Sequence, residues 1–490
     1  MSKTFISFST LVIFIVACYF KVRPQATITI IIDFHTSGIV YGRHLLDVPK
    51  AHYEIIFLIV KLVIVAIVNI LVLYESTIGL FQLMGLITPT HDVFAVTGSL
   101  SNPGPYGGLM AILLAILGVY VLQNRNAEKW YDRMLVMLSS VSCAMCVIIL
   151  PASMSRAAWL ALGVAAFVFG FKELNLADWM RMHIPVAVVA SVMVVIAMTG
   201  IFFLKKDSAI GRLHIWHMEL RAIAEKPWTG HGAGTVLGVY GDTQAEYFAE
   251  KERSAIITKV AGCPEYAFNE YLKIGVEHGI PAMLSTVAVL LSLITVLLKF
   301  HSPFAYGLIA FSVFAFFSYP LEAVDIKSDA ERKWENIRFF SGMGLYENAA
   351  EELAPLYEDL KENCRYLYDY GYALHKCKRY RESTRILMEG ATISSDPMFY
   401  NIMGRNFEAL CMYEDAGSAY IHAHHMVPQR LYPLTLLMRM NIRLGNNEEA
   451  LRYGRIISSK PVNDRNRTML RLQSEASHCV DSLKSLDALK

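Results

Sequence analysis

The feature that most constrains this 490-residue chain is a series of long apolar runs between positions 4 and 319. A helix needs about 20 mostly apolar residues to cross the hydrocarbon core of a bilayer. Residues 4–20, 55–74, 105–122, 134–150, 157–171, 184–204, 280–298 and 304–319 meet or approach that length, which predicts about eight spans. Lys3, Lys21 and Arg23 flank the first run without a small-residue cleavage site after it, the pattern of a signal anchor. Residues 28–40 form a further apolar segment, but Asp33 and His35 argue against lipid exposure.

Charge divides the chain near residue 320. Asp, Glu, Lys and Arg together number 41 over 1–320 and 47 over the much shorter stretch 321–490, so a membrane body precedes a soluble tail of ordinary charge. That division excludes a disordered chain, a small disulfide scaffold and a single soluble domain. The net charge of +2, with no basic run, excludes nucleic acid as a partner. Orientation follows from basic residues in short loops. Residues 75–104 hold no Lys or Arg, whereas 123–133 holds Arg125, Lys129 and Arg133, and 172–183 holds Lys172 and Arg181. The basic loops are expected in the cytoplasm, which puts 75–104, the tight turn 151–156 and the long loop 205–268 outside, together with the tail.

The tail repeats. Tyr346-Glu-Asn-Ala349, Tyr380-Arg-Glu-Ser383, Tyr413-Glu-Asp-Ala416 and Asn447-Glu-Glu-Ala450 follow one another in register, with a period of about 34 residues. That period resembles tetratricopeptide repeats, helix pairs that stack because none can bury its apolar face alone. Gly371 and Gly404 fall where paired helices approach closely, Leu444-Gly445 marks a turn, and Pro397 and Pro428 fall near junctions. The expected fold class is all-α: a polytopic membrane domain over 1–320 with a large periplasmic loop at 205–268, then a tetratricopeptide α-solenoid over 330–490. Such arrays bind protein partners more often than they do chemistry.

Some tempting residues have plain readings. Cys143 and Cys146 form a CxxC pair inside an apolar span, without a second pair or a nearby His, and read as buried small hydrophobes rather than a metal or redox site. His422, His424 and His425 read as a helix face rather than a metal site. Lys61 and Asn69 interrupt the second span; Lys61 is either functional or snorkels to the interface.

Three outward clusters carry the candidate chemistry. The first is Val96-Thr-Gly-Ser-Leu-Ser-Asn102-Pro-Gly-Pro-Tyr-Gly-Gly108, preceded by Gln82-Leu-Met-Gly85. The second is Ser153-Met-Ser155-Arg156; a guanidinium held at a membrane interface is suited to bidentate phosphate binding. The third opens with Gly211-Arg212-Leu-His214-Ile-Trp216, continues through Glu225-Lys-Pro227-Trp-Thr-Gly230-His231-Gly232-Ala-Gly234, and ends in Phe268-Asn269-Glu270 and Gly279.

In this order the clusters, over about residues 70–320, resemble the O-antigen ligase and polymerase family of bacterial membrane glycosyltransferases. That family has an Asn-Pro turn before a span, matched by Asn102-Pro103, and a Ser-Arg pair, matched by Ser155-Arg156. Its Arg-x-x-x-Trp segment is matched by Arg212 and Trp216, and its Pro-x-x-Gly-x-Gly-x-Gly stretch by Pro227 to Gly234 with Gly232 inside it. Its closing motif is matched by Asn269 and Gly279, but Phe268 stands where the family has His. Because that His acts on the acceptor hydroxyl in the family, another residue must serve here, with Glu270 or His231 nearest, or the acceptor differs, or activity is lost.

The resemblance implies transfer or polymerisation of undecaprenyl-diphosphate-linked glycan at the periplasmic face of a bacterial inner membrane, with no cofactor, nucleotide or metal. The acceptor would be lipid A core, a growing polymer or protein. A lipid diphosphate leaves readily when cations stabilise its developing charge and a base takes the acceptor proton. Arg156 and Arg212 are the expected cations, and Glu270 or His231 the expected base. Alternatives are a repeat-unit polymerase, a protein O-oligosaccharyltransferase, or an inactive membrane scaffold that presents the repeats. The repeats are expected to position the acceptor or a protein partner.

Overall fold

The computed structural model describes residues 50–91, 94–100, 102–189, 192–193, 206–320, 328–461 and 466–488. Every regular element among them is a helix. The expected span at 4–20, the segment at 28–40 and most of the expected span at 184–204 lie outside the described residues. The chain falls into two compact units, one of residues 1–189 with 285–325 and one of residues 190–284 with 326–490. Residues 206–284 are thus grouped with the tail.

The first unit contains α1 (Lys50–Leu83), α2 (Pro103–Gln123), α3 (Trp130–Ile149), α4 (Arg156–Glu173), α5 (Leu176–Met182) and α10 (Pro303–Phe317). Its helix α2 starts sharply because the Asn102 side chain accepts a hydrogen bond from the Gly104 N–H at 2.9 Å and Pro103 follows at the first helical position. Helices α3, α4 and α10 all pack on α2, and glycines set how closely they come. A Cβ on Gly108 would lie 2.3 Å from the Phe314 ring, and one on Gly307 2.3 Å from Ile116. Asn69 is buried between α1 and α3, donating to Ser139 at 2.9 Å and accepting from Ser142 at 2.7 Å. It acts as a polar tie between helices, as such residues do in lipid. Cys143 and Cys146 on α3 are free thiols, Cys146 fully buried.

Among the described residues four helices are long and apolar enough to cross a membrane: Ile59–Leu83, Pro103–Gln123, Trp130–Ser153 and Glu270–Lys299. The expected span at 157–171 is α4, which meets α5 at an 84° bend, so the pair can count as a fifth. The expected last span is the apolar helix α10, with 15 residues.

The second unit contains α6 (Lys206–Glu225), α7 (Val236–Glu250), α8 (Ala255–Val260) and the start of α9 (Glu270–Lys299), followed by the tail. The tail runs through α11 (Asp329–Gly342), α12 (Tyr346–Leu353), α13 (Tyr357–Leu360), α14 (Cys364–Lys376), α15 (Tyr380–Ala391), α16 (Met398–Ala409), α17 (Tyr413–Met426), α18 (Tyr432–Arg443), α19 (Asn447–Ser459) and α20 (Arg467–Ala488). Helices α12, α15, α17 and α19 begin at positions 346, 380, 413 and 447, and α14, α16 and α18 at 364, 398 and 432, so both series keep the period of the sequence motif. One turn recurs in phase, with a left-handed residue before each member of the first series: Gly344, Lys378, Cys411 and Gly445. Gly371 faces Leu387 and Gly404 faces Tyr420, so the small residues lie where the paired helices cross.

Helix α7 docks on this array. A Cβ on Gly238 would lie 2.1 Å from the Thr392 carbonyl oxygen, and one on Gly241 2.5 Å from Met426. Gln244 donates to the Gly262 and Met426 carbonyls, while Asp242 accepts from Tyr400 and His422, each at 3.0 Å. His422 is thereby engaged with Asp242, and His424 is half-buried in the array, where desolvation holds its imidazole down to about 3. No group of three His, Cys, Asp or Glu arranged to hold a metal occurs among the described residues.

Candidate functional site

In the first unit the Asn102 and Ser155-Arg156 motifs meet. A short 3-10 turn, Leu150–Ser153, ends at Met154 in the left-handed region, and the chain then enters α4 with Ser155 at the N-cap and Arg156 first in the helix. Ser155 Oγ donates to the Gly104 carbonyl at 3.3 Å, and a Cβ on Gly107 would lie 2.5 Å from Ser153 Oγ. Arg156 is half-buried at this helix start. The loop that carries Asn102 is pinned by α1. Gln82 Oε1 accepts from the Thr97 and Gly98 N–H groups, both at 2.9 Å. The Glu75 carboxylate, buried at 3% exposure, accepts from the Ser99 N–H at 3.0 Å and its hydroxyl at 2.5 Å. Glu75 lies one residue past the apolar run 55–74 and so outside the sequence motifs, although an acidic residue in a membrane-length helix is itself a functional signal.

In the second unit Arg212, Lys259 and Phe268 line an open cleft of about 340 Å³, with Asp207, Ser208, Gly211, Ile215 and Val260. The Arg212 guanidinium lies over the Phe268 ring, 5.1 Å from its centroid. Lys259 pairs with Asp207 at 2.6 Å on the exposed rim. Phe268 itself has φ +57°, a conformation costly for an aromatic residue. Asn269 then caps α9, its Oδ1 accepting from the Tyr271 and Leu272 N–H groups at 3.0 and 3.1 Å. Glu270, first in α9, is buried. Trp216, one turn after Arg212 on α6, is half-buried. His214, also on α6, is buried with Nε2 2.8 Å from Gln244 Oε1, and desolvation pushes its imidazole below the ordinary value.

The glycine stretch has a mechanical role. Its backbone wraps the kink in α9 at Gly279, where φ is +81°. The Ile280 N–H donates to the Pro227 carbonyl at 2.8 Å, the His231 N–H to Val276, and the Gly232 N–H to the Glu277 carbonyl. The Gly234 N–H reaches the Glu277 carboxylate at 3.0 Å. A Cβ on Gly230 would lie 2.3 Å from the Glu277 carbonyl carbon, and one on Gly279 2.6 Å from the Trp228 oxygen. His231 Nε2 lies 2.9 Å from the Ala222 carbonyl. A carbonyl only accepts, so this nitrogen carries the proton.

Residues 141–287 match the family model for O-antigen ligase. The matched stretch runs from α3 into α9 and contains Ser155, Arg156, Arg212, Trp216, Gly232, Asn269, Glu270 and Gly279; Asn102 precedes it. No curated protein matches the chain. An O-antigen-ligase-like stretch on a chain with several membrane-length apolar helices points to glycan transfer at a membrane.

Proposed function

We propose that this chain is a metal-independent glycosyltransferase of the inner membrane. It transfers or polymerises undecaprenyl-diphosphate-linked glycan at the periplasmic face, and the tail is a tetratricopeptide array in the periplasm that positions the acceptor or a protein partner. The observation that carries this reading is the Arg212 cleft, which lies inside the ligase-like stretch and sets a guanidinium on an aromatic wall beside the Lys259–Asp207 pair. Arg212 stabilises charge developing on the leaving diphosphate, and Arg156 is the corresponding cation of the first unit. Glu270 is the preferred base, because it follows the cleft residue Phe268 by two positions while His231 Nε2 is engaged with a carbonyl.

A strain lacking the gene separates the possible acceptors. Unattached lipid-linked polymer identifies a ligase to lipid A core, single repeat units on the core a polymerase, and lost glycoproteins a protein transferase. If Arg156→Ala and Arg212→Ala both restore surface glycan fully while deletion of residues 330–490 does not, the chain is a scaffold and the enzyme reading fails. A periplasm-specific reporter fused after Lys490 should be active.

A further inference from the structure

Helix α6 carries an exposed stripe that no part of the site uses. Leu213, His217, Leu220 and Ala224 recur at intervals of four, three and four, which places them on one face, and all four are exposed. Leu213 and Leu220 are each 55% exposed, and Trp228 just beyond the helix is 77% exposed. The opposite face is buried through His214, Met218, Glu219 and Ala222.

In sequence this helix follows one apolar segment, and its far end is bonded to the start of another. Ahead of it, the uncharged run 184–204 leads directly into Lys205 and Lys206. Behind it, Pro227 accepts the Ile280 N–H and the Trp228 carbonyl packs on Gly279. Gly279 is also where the environment of α9 changes. Asn269, Glu270, Val276 and Glu277 are buried before it, whereas Leu284, Val289 and Leu291 after it are each 58% exposed. The stretch 280–298 contains no charged side chain and spans about 28 Å as helix, close to the roughly 30 Å of a hydrocarbon core. Ile280 therefore marks the membrane surface, and Trp228, next to the bonded Pro227, lies at that level. Trp is the side chain enriched there, with its ring in the headgroup region.

We propose that α6 lies along the bilayer surface, with Leu213, Leu220, Ala224 and Trp228 set among lipid headgroups and the first acyl carbons, and Lys206 and Lys226 at the phosphates. Amphipathic helices in the interface plane hold this posture. Arg212 precedes Leu213, so the same embedding fixes the depth of the cleft.

The test places benzoylphenylalanine at Leu213, Leu220 or Trp228 of the full chain in vesicles of phosphatidylethanolamine and phosphatidylglycerol, with exposed Met388 of the tail as the comparison site. After irradiation, mass spectrometry should find lipid adducts at the three sites at about tenfold or more the yield at Met388. Yields equal to that at Met388, or cross-links to protein in place of lipid, would overturn the proposal. Lipid contact is read without any glycan substrate, so this result is independent of the transfer reading.

Discussion

The Arg212 guanidinium rests on the face of Phe268, 5.1 Å from the ring centroid, in the cleft that α6 forms with α8 and the segment just before α9. An aromatic ring beneath a cation orients it without neutralising it. The residue that departs from the family pattern thus supports the cation expected to meet the diphosphate.

Replacing the two partners should have unequal effects. Arg212→Ala should lower glycan transfer from a lipid-diphosphate donor about 10²- to 10³-fold, the usual loss for a preorganised charge stabiliser. Phe268→Ala should cost about 0.5–2 kcal/mol of transition-state stabilisation, or roughly 2- to 30-fold. Steady-state kinetics of both variants in vesicles checks the order; equal losses would show that the ring does more than support the guanidinium.

The glycines of the α9 kink divide into crowded and open positions. Gly279→Ala combines φ +81° with a Cβ 2.6 Å from the Trp228 oxygen, whereas Gly234→Ala has φ +77° but no neighbour within 4 Å. Positive φ costs either variant about 1–3 kcal/mol, Gly279 with ψ 173° lying in a region open essentially to glycine alone, and overpacking adds about 1–3 kcal/mol at Gly279 alone. Thermal unfolding in detergent should therefore place the Gly279→Ala midpoint clearly below that of Gly234→Ala.

Glu75 holds the loop that delivers Asn102. Glu75→Ala leaves the Ser99 N–H and hydroxyl without their carboxylate acceptor, a loss of about 1 kcal/mol because Ser99 is exposed and water takes over part of the bonding. Glu75→Gln keeps one acceptor oxygen and should recover part of that loss. Protease sensitivity of residues 84–102 should rise in the Ala variant and less in the Gln variant.

Acid should weaken the second unit. Burial pushes His214, His375 and His424 below the ordinary value of 6.5, His424 to about 3 with help from Lys460 and His425. Below pH 6.5 the unfolded chain binds protons that the folded chain refuses, so stability is full above 6.5 and falls as pH drops below it. Each such His contributes a slope of up to about 1.4 kcal/mol per pH unit. His424→Gln should reduce the acid slope by about that amount between roughly pH 6 and pH 4, as measured by denaturant unfolding at stepped pH.

Local pattern was enough to read much of this chain. Apolar runs locate α1 to α4, α9 and α10, because a helix in lipid must cover its length with apolar side chains. The period of the tail motif reappears in the spacing of its helix starts, because each turn must return the chain to the same crossing. Lys378 and Cys411 occupy the left-handed turn position that Gly344 and Gly445 hold in neighbouring units; repeat phase, not residue type, identifies them.

What sequence could not supply depends on contacts between distant residues. The glycines from 230 to 234 read equally well as a phosphate cradle or a tight turn, and only the packed chain shows the amides of Gly232 and Gly234 turned to Glu277, with that of His231 on Val276. Lys259 joins Arg212 because α8 packs on α6, and no spacing rule links residues 212 and 259. Apolar length and repeat period are properties of one segment and can be read along it. The cleft, the α9 kink and the docking of α7 on Thr392 and Met426 arise when separate segments bury one another, and tertiary structure alone decides them.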